Sequence, residues 1–199
     1  MAQVTATVEG TGAGTTRLWW VRHGPTHATR LVGRTDLPAD LSDTRRIDRL
    51  RDALPHAPVV ASDLIRASAT ADAIAGGRPR LRDDPTLREF DYGDWEDRAF
   101  DSFDGPLSRL FFEKPGDVAP PNGESWNAVA ARVAGAVRRL ATGPDLVLVA
   151  HFGAILTQWA EATGLAPHAA LAQPVAPLSL TRIDLVDGTL RPVLVDHHP

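Results

Sequence analysis

Three short apolar runs, each followed by a polar turn, are the feature of this 199-residue chain that most constrains its fold. A continuous apolar run is typical of a strand that is covered on both faces. Strands that alternate with helices along a chain predict an α/β domain, with a mainly parallel sheet and helices on both of its faces. The runs lie in residues 17–22 "RLWWVR", 57–63 "APVVASD" and 145–150 "DLVLVA".

Four segments between and after these runs have helical spacing of apolar residues or good helix formers. In the first segment, Ile47, Leu50 and Leu54 share one face. Ser42 is placed to cap the first helix and Ser125 to cap the third. The four predicted helices cover residues 41–54, 64–77, 124–142 and 154–163.

The remaining segments predict further strands and connections. Residues 81–98 predict a short strand followed by an acidic loop. Residues 178–185 and 190–195 predict two closing strands, which the Asp187–Gly188 turn signal joins into an antiparallel edge of the sheet.

The chain predicts a single domain over residues 17–199, preceded by a tail. Residues 1–16 are small, polar and glycine-rich, which predicts a flexible tail. Residues 99–123 contain four phenylalanines and four prolines without clean periodicity, which predicts a lid-like insertion.

Composition excludes several function classes. The net charge of −4 argues against binding to nucleic acid or to an anionic membrane surface. The chain has no cysteine, and therefore no disulfide, thiolate zinc site or thiol nucleophile. We expect no membrane span, because no run of about 18 apolar residues occurs. The first residues lack the features of a secretory signal, so we expect a cytoplasmic protein.

Five chemically active side chains follow the predicted strands. In a sheet of this kind, ligands bind outside the carboxyl ends of the strands. Arg22 and His23 follow the first strand, Arg66 comes shortly after the second, and His151 follows the third. Glu89 follows the short strand predicted within residues 81–98. We therefore expect all five side chains at one rim of the sheet.

This set suits the transfer of a phosphoryl group. Guanidinium groups offer paired donors that match phosphoryl oxygens, and the backbone N–H groups of a helix predicted to begin near Gly24 would add to an anion site. A neutral imidazole such as His23 is a competent nucleophile, and neighbouring arginines favour its neutral form. A bound phosphate dianion favours the protonated form of Glu89, which could then donate a proton to the leaving alcohol.

Six segments, in this order along the chain, resemble motifs of the histidine phosphatase superfamily, which includes phosphoglycerate mutases and many small phosphatases. "VRHGPT" resembles the nucleophile motif, and "LREFDYGDWE" resembles the segment that carries the catalytic acid. The six segments are "VRHGPT" (21–26), "GRTDLPADLS" (33–42), "VVASDLIRASATADAI" (59–74), "LREFDYGDWE" (87–96), "NGESWNAVAARV" (122–133) and "VLVAHFG" (147–153).

The resemblance implies a three-layer αβα sandwich and a phosphohistidine intermediate on His23. It further implies that Arg22, Arg66 and His151 bind phosphoryl oxygens and that Glu89 acts first as an acid and then as a base. No metal or organic cofactor is expected. Gly24, Thr29, Phe152 and Gly153 are candidates for substrate binding, although relatives commonly have asparagine where this chain has Thr29.

Three functions remain open. A phosphatase for a small phosphomonoester is favoured, because relatives with mutase activity are typically longer and residues 99–123 offer only Arg109 and Lys114 for further anionic groups. A phosphoglycerate-mutase-type phosphotransferase is the first alternative. An inactive relative that binds phosphorylated ligands is the second. The apolar edge formed by the C-terminal strands makes a homodimer possible.

Overall fold

A computed structural model describes residues 14–199, and its centre is one five-stranded sheet. The strands lie in the order β2-β3-β1-β4-β5. β2, β3 and β1 are parallel, whereas β4 is antiparallel to β1 and β5 is antiparallel to β4. The strands are β1 Thr15–Arg22, β2 Val59–Ala61, β3 Asp145–Ala150, β4 Leu180–Val186 and β5 Thr189–His197.

Six α-helices connect or flank these strands in the described chain. Short 3₁₀ helices cover Pro85–Leu87, Gly93–Trp95 and Phe100–Phe103. None of the helices within residues 14–199 is both long and apolar enough to cross a membrane. The α-helices are α1 Thr44–Ala53, α2 Ile65–Ala75, α3 Pro106–Glu113, α4 Trp126–Leu140, α5 Phe152–Thr163 and α6 Pro167–Leu171.

The helices form a layer on each face of the sheet. Apolar side chains of α1 and α2 pack against one face of β1, β2 and β3, for example Leu50 and Ile74 near Val149. Side chains of α4 and α5 pack against the opposite face, where Leu148 is buried. The three-layer αβα fold with a parallel sheet centre is therefore confirmed.

Several local predictions are confirmed. Ile47, Leu50 and Leu54 are buried as expected, and the Ser125 hydroxyl caps α4 by accepting a hydrogen bond from the N–H of Ala128. Asp187 and Gly188 both have positive φ, 49° and 79°, as required by the tight turn between β4 and β5.

Other local predictions are wrong. Asp43, not Ser42, caps α1, because its carboxylate accepts the N–H of Arg46. Residues 81–98 contain no strand: Asp84 caps a 3₁₀ helix that begins at Pro85, and proline suits the first turn of a helix better than a central strand.

The structure also bears on the predicted N-terminal tail and on the predicted lid-like insertion. β1 begins at Thr15, which moves the last two residues of the predicted 1–16 tail into the sheet. Residues 1–13 of that tail lie outside the described residues. Within residues 99–123 the structure places a 3₁₀ helix and α3, and Phe111 of α3 belongs to the core. Closure of this segment as a lid stays a prediction.

Candidate active site

The register of the parallel strands brings two histidines together. Arg22 is the last residue of β1 and pairs with Ala150, the last residue of β3, so the next residue of each strand lies at the same edge. These next residues are His23 and His151, whose ring centroids are 5.0 Å apart. The N–H of His23 also donates to the carbonyl of Ala150, which fixes the two strand ends to each other.

His23 is buried and has a distinct hydrogen-bond partner on each ring nitrogen. Its Nδ1 lies 2.7 Å from the Gly24 carbonyl oxygen, which can only accept, so Nδ1 carries the proton. Its Nε2 accepts a hydrogen bond of 3.2 Å from Nε of Arg66. Burial and the positive charges of Arg66 and Arg22 lower the pKa of His23 to about 3, although the bond to Gly24 opposes this. The imidazole is therefore neutral at physiological pH, with a lone pair on Nε2.

Arg66 lies in the first turn of α2 and is almost fully buried. Its terminal nitrogens donate to two backbone carbonyls, that of Thr35 at 2.9 Å and that of Gly33 at 2.5 Å. Burial lowers the pKa of Arg66, but a guanidinium stays charged in proteins. The loop at residues 33–35 therefore orients this cation toward His23.

Glu96 in turn fixes the loop at residues 33–35. Its carboxylate accepts the backbone N–H groups of Gly33, Arg34 and Thr35, and the Thr35 hydroxyl at 2.7 Å. Burial raises the pKa of Glu96, but these hydrogen bonds outweigh it and lower the pKa overall. Sequence reasoning missed this residue, although it ends the quoted segment "LREFDYGDWE".

Arg22 and His151 complete a group of cationic and imidazole side chains. Arg22 donates to the Val175 carbonyl at 2.6 Å, and its guanidinium carbon lies 5.3 Å from the centre of the Phe152 ring. Burial lowers the pKa of Arg22 and lowers that of His151 well below its ordinary value. Neither ring nitrogen of His151, nor Nε of Arg22, has a hydrogen-bond partner among the described residues. We call Arg22, His23, Arg66 and His151 the cradle.

Glu89 lies beside the cradle, on a loop rather than after a strand as predicted. Its carboxylate accepts the N–H of Phe90 at 3.0 Å and the N–H of Gly153, in the first turn of α5, at 2.9 Å. A Cβ atom on Gly153 would lie 2.5 Å from the Glu89 carboxylate. Gly153 therefore permits this close approach of α5 to the carboxylate. Glu89 thus reaches the rim of the sheet from a loop and not, as the sequence predicts, from the end of a strand.

Arg132 on α4 fixes the loop that carries Glu89. Its guanidinium donates to the carbonyls of Thr86, Arg88 and Glu89 at 3.0, 2.7 and 2.8 Å. The same guanidinium is paired with the carboxylate of Glu124 at 2.9 Å. Sequence reasoning also missed Arg132. The one signal for it in the sequence is its position: Arg132 directly precedes Val133, which lies on the buried face of a predicted helix.

A cavity of about 130 Å³ lies between the cradle and Glu89. Its volume is roughly four times the share of one water molecule in liquid, so a phosphoryl group fits. Thr26 and Arg30 line it, and sequence reasoning named neither of them. The lining residues are Arg22, His23, Thr26, Ala28, Arg30, Val32, Arg66 and Glu89.

Gly24 and Thr29, two predicted substrate contacts, have surroundings that differ from the prediction. No helix begins at Gly24, because residues 23–29 form a loop, and the Gly24 N–H donates to the Thr70 hydroxyl at 3.0 Å. Thr29 is exposed and does not line the cavity, whereas its neighbours Ala28 and Arg30 do. The loop turns the side chain of Thr29 outward, so the contact that relatives make with asparagine has no counterpart at this position here.

A second, larger cavity of about 300 Å³ adjoins the first and shares Arg22, Val32 and Glu89 with it. Phe152 and Gly153 also line it, and their contact with a substrate stays a prediction. Six aromatic rings form most of its remaining surface, and we call them the aromatic wall: Phe90, Tyr92, Phe100, Phe111, Phe112 and Trp126.

The described residues contain no cluster of three or more histidine, aspartate or glutamate side chains that could hold a metal ion. The positive charge at the smaller cavity comes from Arg22, Arg30 and Arg66, which line it. The protein carries this charge locally, against a net charge of −4.

Comparisons with known proteins agree with this geometry. The family model of the histidine phosphatase superfamily (branch 1) matches residues 18–197. No curated protein matches the chain.

Several solved structures are similar. A Thermus thermophilus protein is 31% identical, with a TM-score of 0.73 over 92% of this chain and 99% of that one. YhfR from Bacillus stearothermophilus is 28% identical, with a TM-score of 0.79 over 90% and 96% of the two chains. A mycobacterial glucosyl-3-phosphoglycerate phosphatase is 27% identical, with a TM-score of 0.76 over 92% and 99%. The chain that carries this cradle thus belongs to the histidine phosphatase superfamily.

Proposed function

We propose that the protein is a metal-independent phosphatase that hydrolyses a small phosphomonoester through a phosphohistidine on His23. The observation that carries this proposal is the state of His23. Its Nε2 is unprotonated, lies 3.2 Å from the Arg66 guanidinium and faces a cavity that two further arginines and Glu89 line. A neutral imidazole beside an anion site is what nucleophilic attack on phosphorus needs.

In the first step, Nε2 of His23 forms a bond to phosphorus while the bond from phosphorus to the ester oxygen breaks. Arg66 exchanges its hydrogen bond to Nε2 for one to a phosphoryl oxygen. The single ring N–H of neutral His151 and Nε of Arg22, which have no partner among the described residues, are further donors for these oxygens, and they act where negative charge develops. Glu89 gives a proton to the departing alkoxide.

In the second step, water attacks the phosphohistidine. Glu89, now ionised, takes one proton from this water, the bond between Nε2 and phosphorus breaks, and inorganic phosphate leaves. Each turnover therefore converts an ester and water into an alcohol and phosphate and restores both side chains. The residues alone supply nucleophile, acid and cationic donors, so the scheme needs no metal.

The similar proteins support a phosphatase. One of them is named for the hydrolysis of glucosyl-3-phosphoglycerate, a phosphomonoester. A mutase must bind a second anionic group of its substrate, whereas Arg22 is the one cation that the described residues contribute to the lining of the larger cavity. Feeding 3-phosphoglycerate together with 2,3-bisphosphoglycerate should therefore release phosphate and yield no isomer.

The test is hydrolysis of p-nitrophenyl phosphate in the presence of EDTA. We expect the wild type to be active and the His23→Ala variant to be inactive. His56→Ala is the matched control, because His56 is exposed and does not line either cavity. Activity that survives in His23→Ala, or that EDTA abolishes in the wild type, would contradict the proposal. Phosphate binding without turnover of any ester would instead indicate a binding module.

A further inference from the structure

The larger cavity adjoins the cradle on the side of Glu89, the residue that donates a proton to the leaving alcohol. We infer that the substrate is a phosphomonoester of an apolar, ring-bearing alcohol that carries no second anionic group. This inference rests on the proposed function and names the class of substrate for the same site.

Most rings of the aromatic wall pack against one another. Phe111 lies at its centre and is 5% exposed. The centroid of its ring lies 6.2 Å from that of Phe90, 6.3 Å from that of Tyr92 and 4.9 Å from that of Phe112. These neighbouring rings all lie nearly perpendicular to the ring of Phe111, the edge-to-face arrangement that aromatic rings favour. A surface that is already ordered costs little further entropy when a ligand binds.

The charges around the larger cavity argue against a second anion on the substrate. Within residues 14–199, Arg22 is its one lining cation, and that side chain is already part of the cradle. Arg109 pairs with Asp104 and lines a different cavity, and Lys114 is not in the lining. A carboxylate or a second phosphate in this space would lose its water without gaining a cationic partner, which is costly.

The volume sets the size of the apolar group. A dry cavity of about 150 Å³ is enough to hold benzene. The larger cavity has about 300 Å³, which accommodates one ring with its linker or two fused rings. Its exposed edge at Phe100, which is 55% exposed, leaves an entrance for the substrate.

The test compares three alkyl phosphates with similar leaving oxygens: 2-phenylethyl phosphate, glycerol 3-phosphate and 3-phosphoglycerate. Because all three release unactivated alcohols, differences in kcat/KM report recognition and not intrinsic reactivity. For the wild type we expect kcat/KM to be highest for 2-phenylethyl phosphate, by roughly tenfold or more over 3-phosphoglycerate.

Two variants with matched controls locate the preference. Phe100→Ala removes an exposed ring of the wall and should reduce the preference by roughly fivefold to tenfold. Leu110→Ala is its control, because Leu110 is 41% exposed in the same segment and outside the lining. Leu171→Lys adds a cation to the lining and should shift the preference toward 3-phosphoglycerate, whereas Leu165→Lys, 42% exposed and outside the lining, should not.

The outcomes separate this inference from the proposed function. If the wild type prefers 3-phosphoglycerate, or if Phe100→Ala leaves the preference unchanged, the substrate class is wrong. The proposed function then stands provided that His23→Ala abolishes hydrolysis. If the wild type hydrolyses none of the three esters and no p-nitrophenyl phosphate, both the substrate class and the proposed function are wrong.

Discussion

The cradle and the aromatic wall are adjacent surfaces that the chain builds by different means. The cradle gathers side chains that are far apart in sequence, and parallel strand register and hydrogen bonds to backbone carbonyls fix them. The wall comes from residues 90–126, and ring packing holds it. Directional bonds thus set the chemistry of the site, whereas packing sets the shape that a leaving group meets.

The largest expected effect tests whether Glu89 belongs functionally to the cradle. Glu89→Gln removes the proton donor, so kcat/KM for 2-phenylethyl phosphate should fall about 10³-fold. For p-nitrophenyl phosphate the loss should be below about tenfold, because that leaving group is a weak base that needs little protonation. Steady-state kinetics with both esters measure this, with Glu161→Gln as an exposed control. Equal losses with the two esters would contradict the role of Glu89 as acid.

Arg66→Met should have the next largest effect. It removes a donor to the phosphoryl oxygens, and kcat/KM should fall roughly 10²-fold to 10³-fold for every ester, whatever its leaving group. This equal loss of kcat/KM for all esters distinguishes Arg66→Met from Phe100→Ala, which should lower kcat/KM for ring-bearing esters alone. Arg138→Met, at an exposed position of α4, controls for loss of charge. A loss with Arg66→Met that depends on the leaving group would contradict this division between the two surfaces.

Stability should distinguish the centre of the wall from its edge. Phe111→Ala leaves a cavity among packed rings and should lower the free energy of unfolding by about 3 kcal/mol. Phe100→Ala, at an exposed edge, should change it by less than about 0.5 kcal/mol. Urea unfolding at neutral pH measures both values. Similar losses for the two variants would show that the wall has no packed centre.

The smallest expected effect is the pH dependence of stability that His23 contributes. Its pKa is about 3 in the folded protein and near 6.5 in the unfolded chain. Between these values the unfolded chain binds the extra proton. The contribution is therefore complete above pH 6.5 and declines as the pH falls toward 3.

The wild type should thus lose roughly 1 kcal/mol more than His23→Asn for each unit of pH below 6.5. Urea unfolding of the two proteins at pH 7, 6 and 5 tests this difference. Parallel pH profiles would mean that His23 is not buried as a neutral imidazole.

The sequence predicts the cradle well and the wall poorly, for physical reasons. Residues that directly follow parallel strands must meet at one edge, so Arg22, His23 and His151 could be placed from the strands alone. Arg66 could be placed at the same edge, because the short β2 leads directly into α2. Whether phenylalanines line a cavity or fill a core depends on how the segment folds back. Here Phe111 does both, whereas Phe100 lines the cavity at its exposed edge.

Loop geometry accounts for the remaining errors. Glu89 was expected after a strand, but a proline and the Asp84 cap form a 3₁₀ helix there instead. Thr29 was expected at the phosphate, but the loop after His23 presents Thr26 and Arg30 to the cavity. Glu96 and Arg132 form hydrogen bonds with backbone groups that are remote from them in sequence. A local sequence pattern does not identify those backbone groups.

Mapping the phosphoryl group during turnover tests whether His23 forms the phosphohistidine. The enzyme is mixed with p-nitrophenyl phosphate, quenched within the first turnover at alkaline pH, and digested for mass spectrometry. We expect one phosphoryl group on the peptide that contains His23, present during hydrolysis and lost when the ester is exhausted. Hydrolysis that proceeds with no phosphoryl group on His23, or with the group on His151 instead, would contradict it.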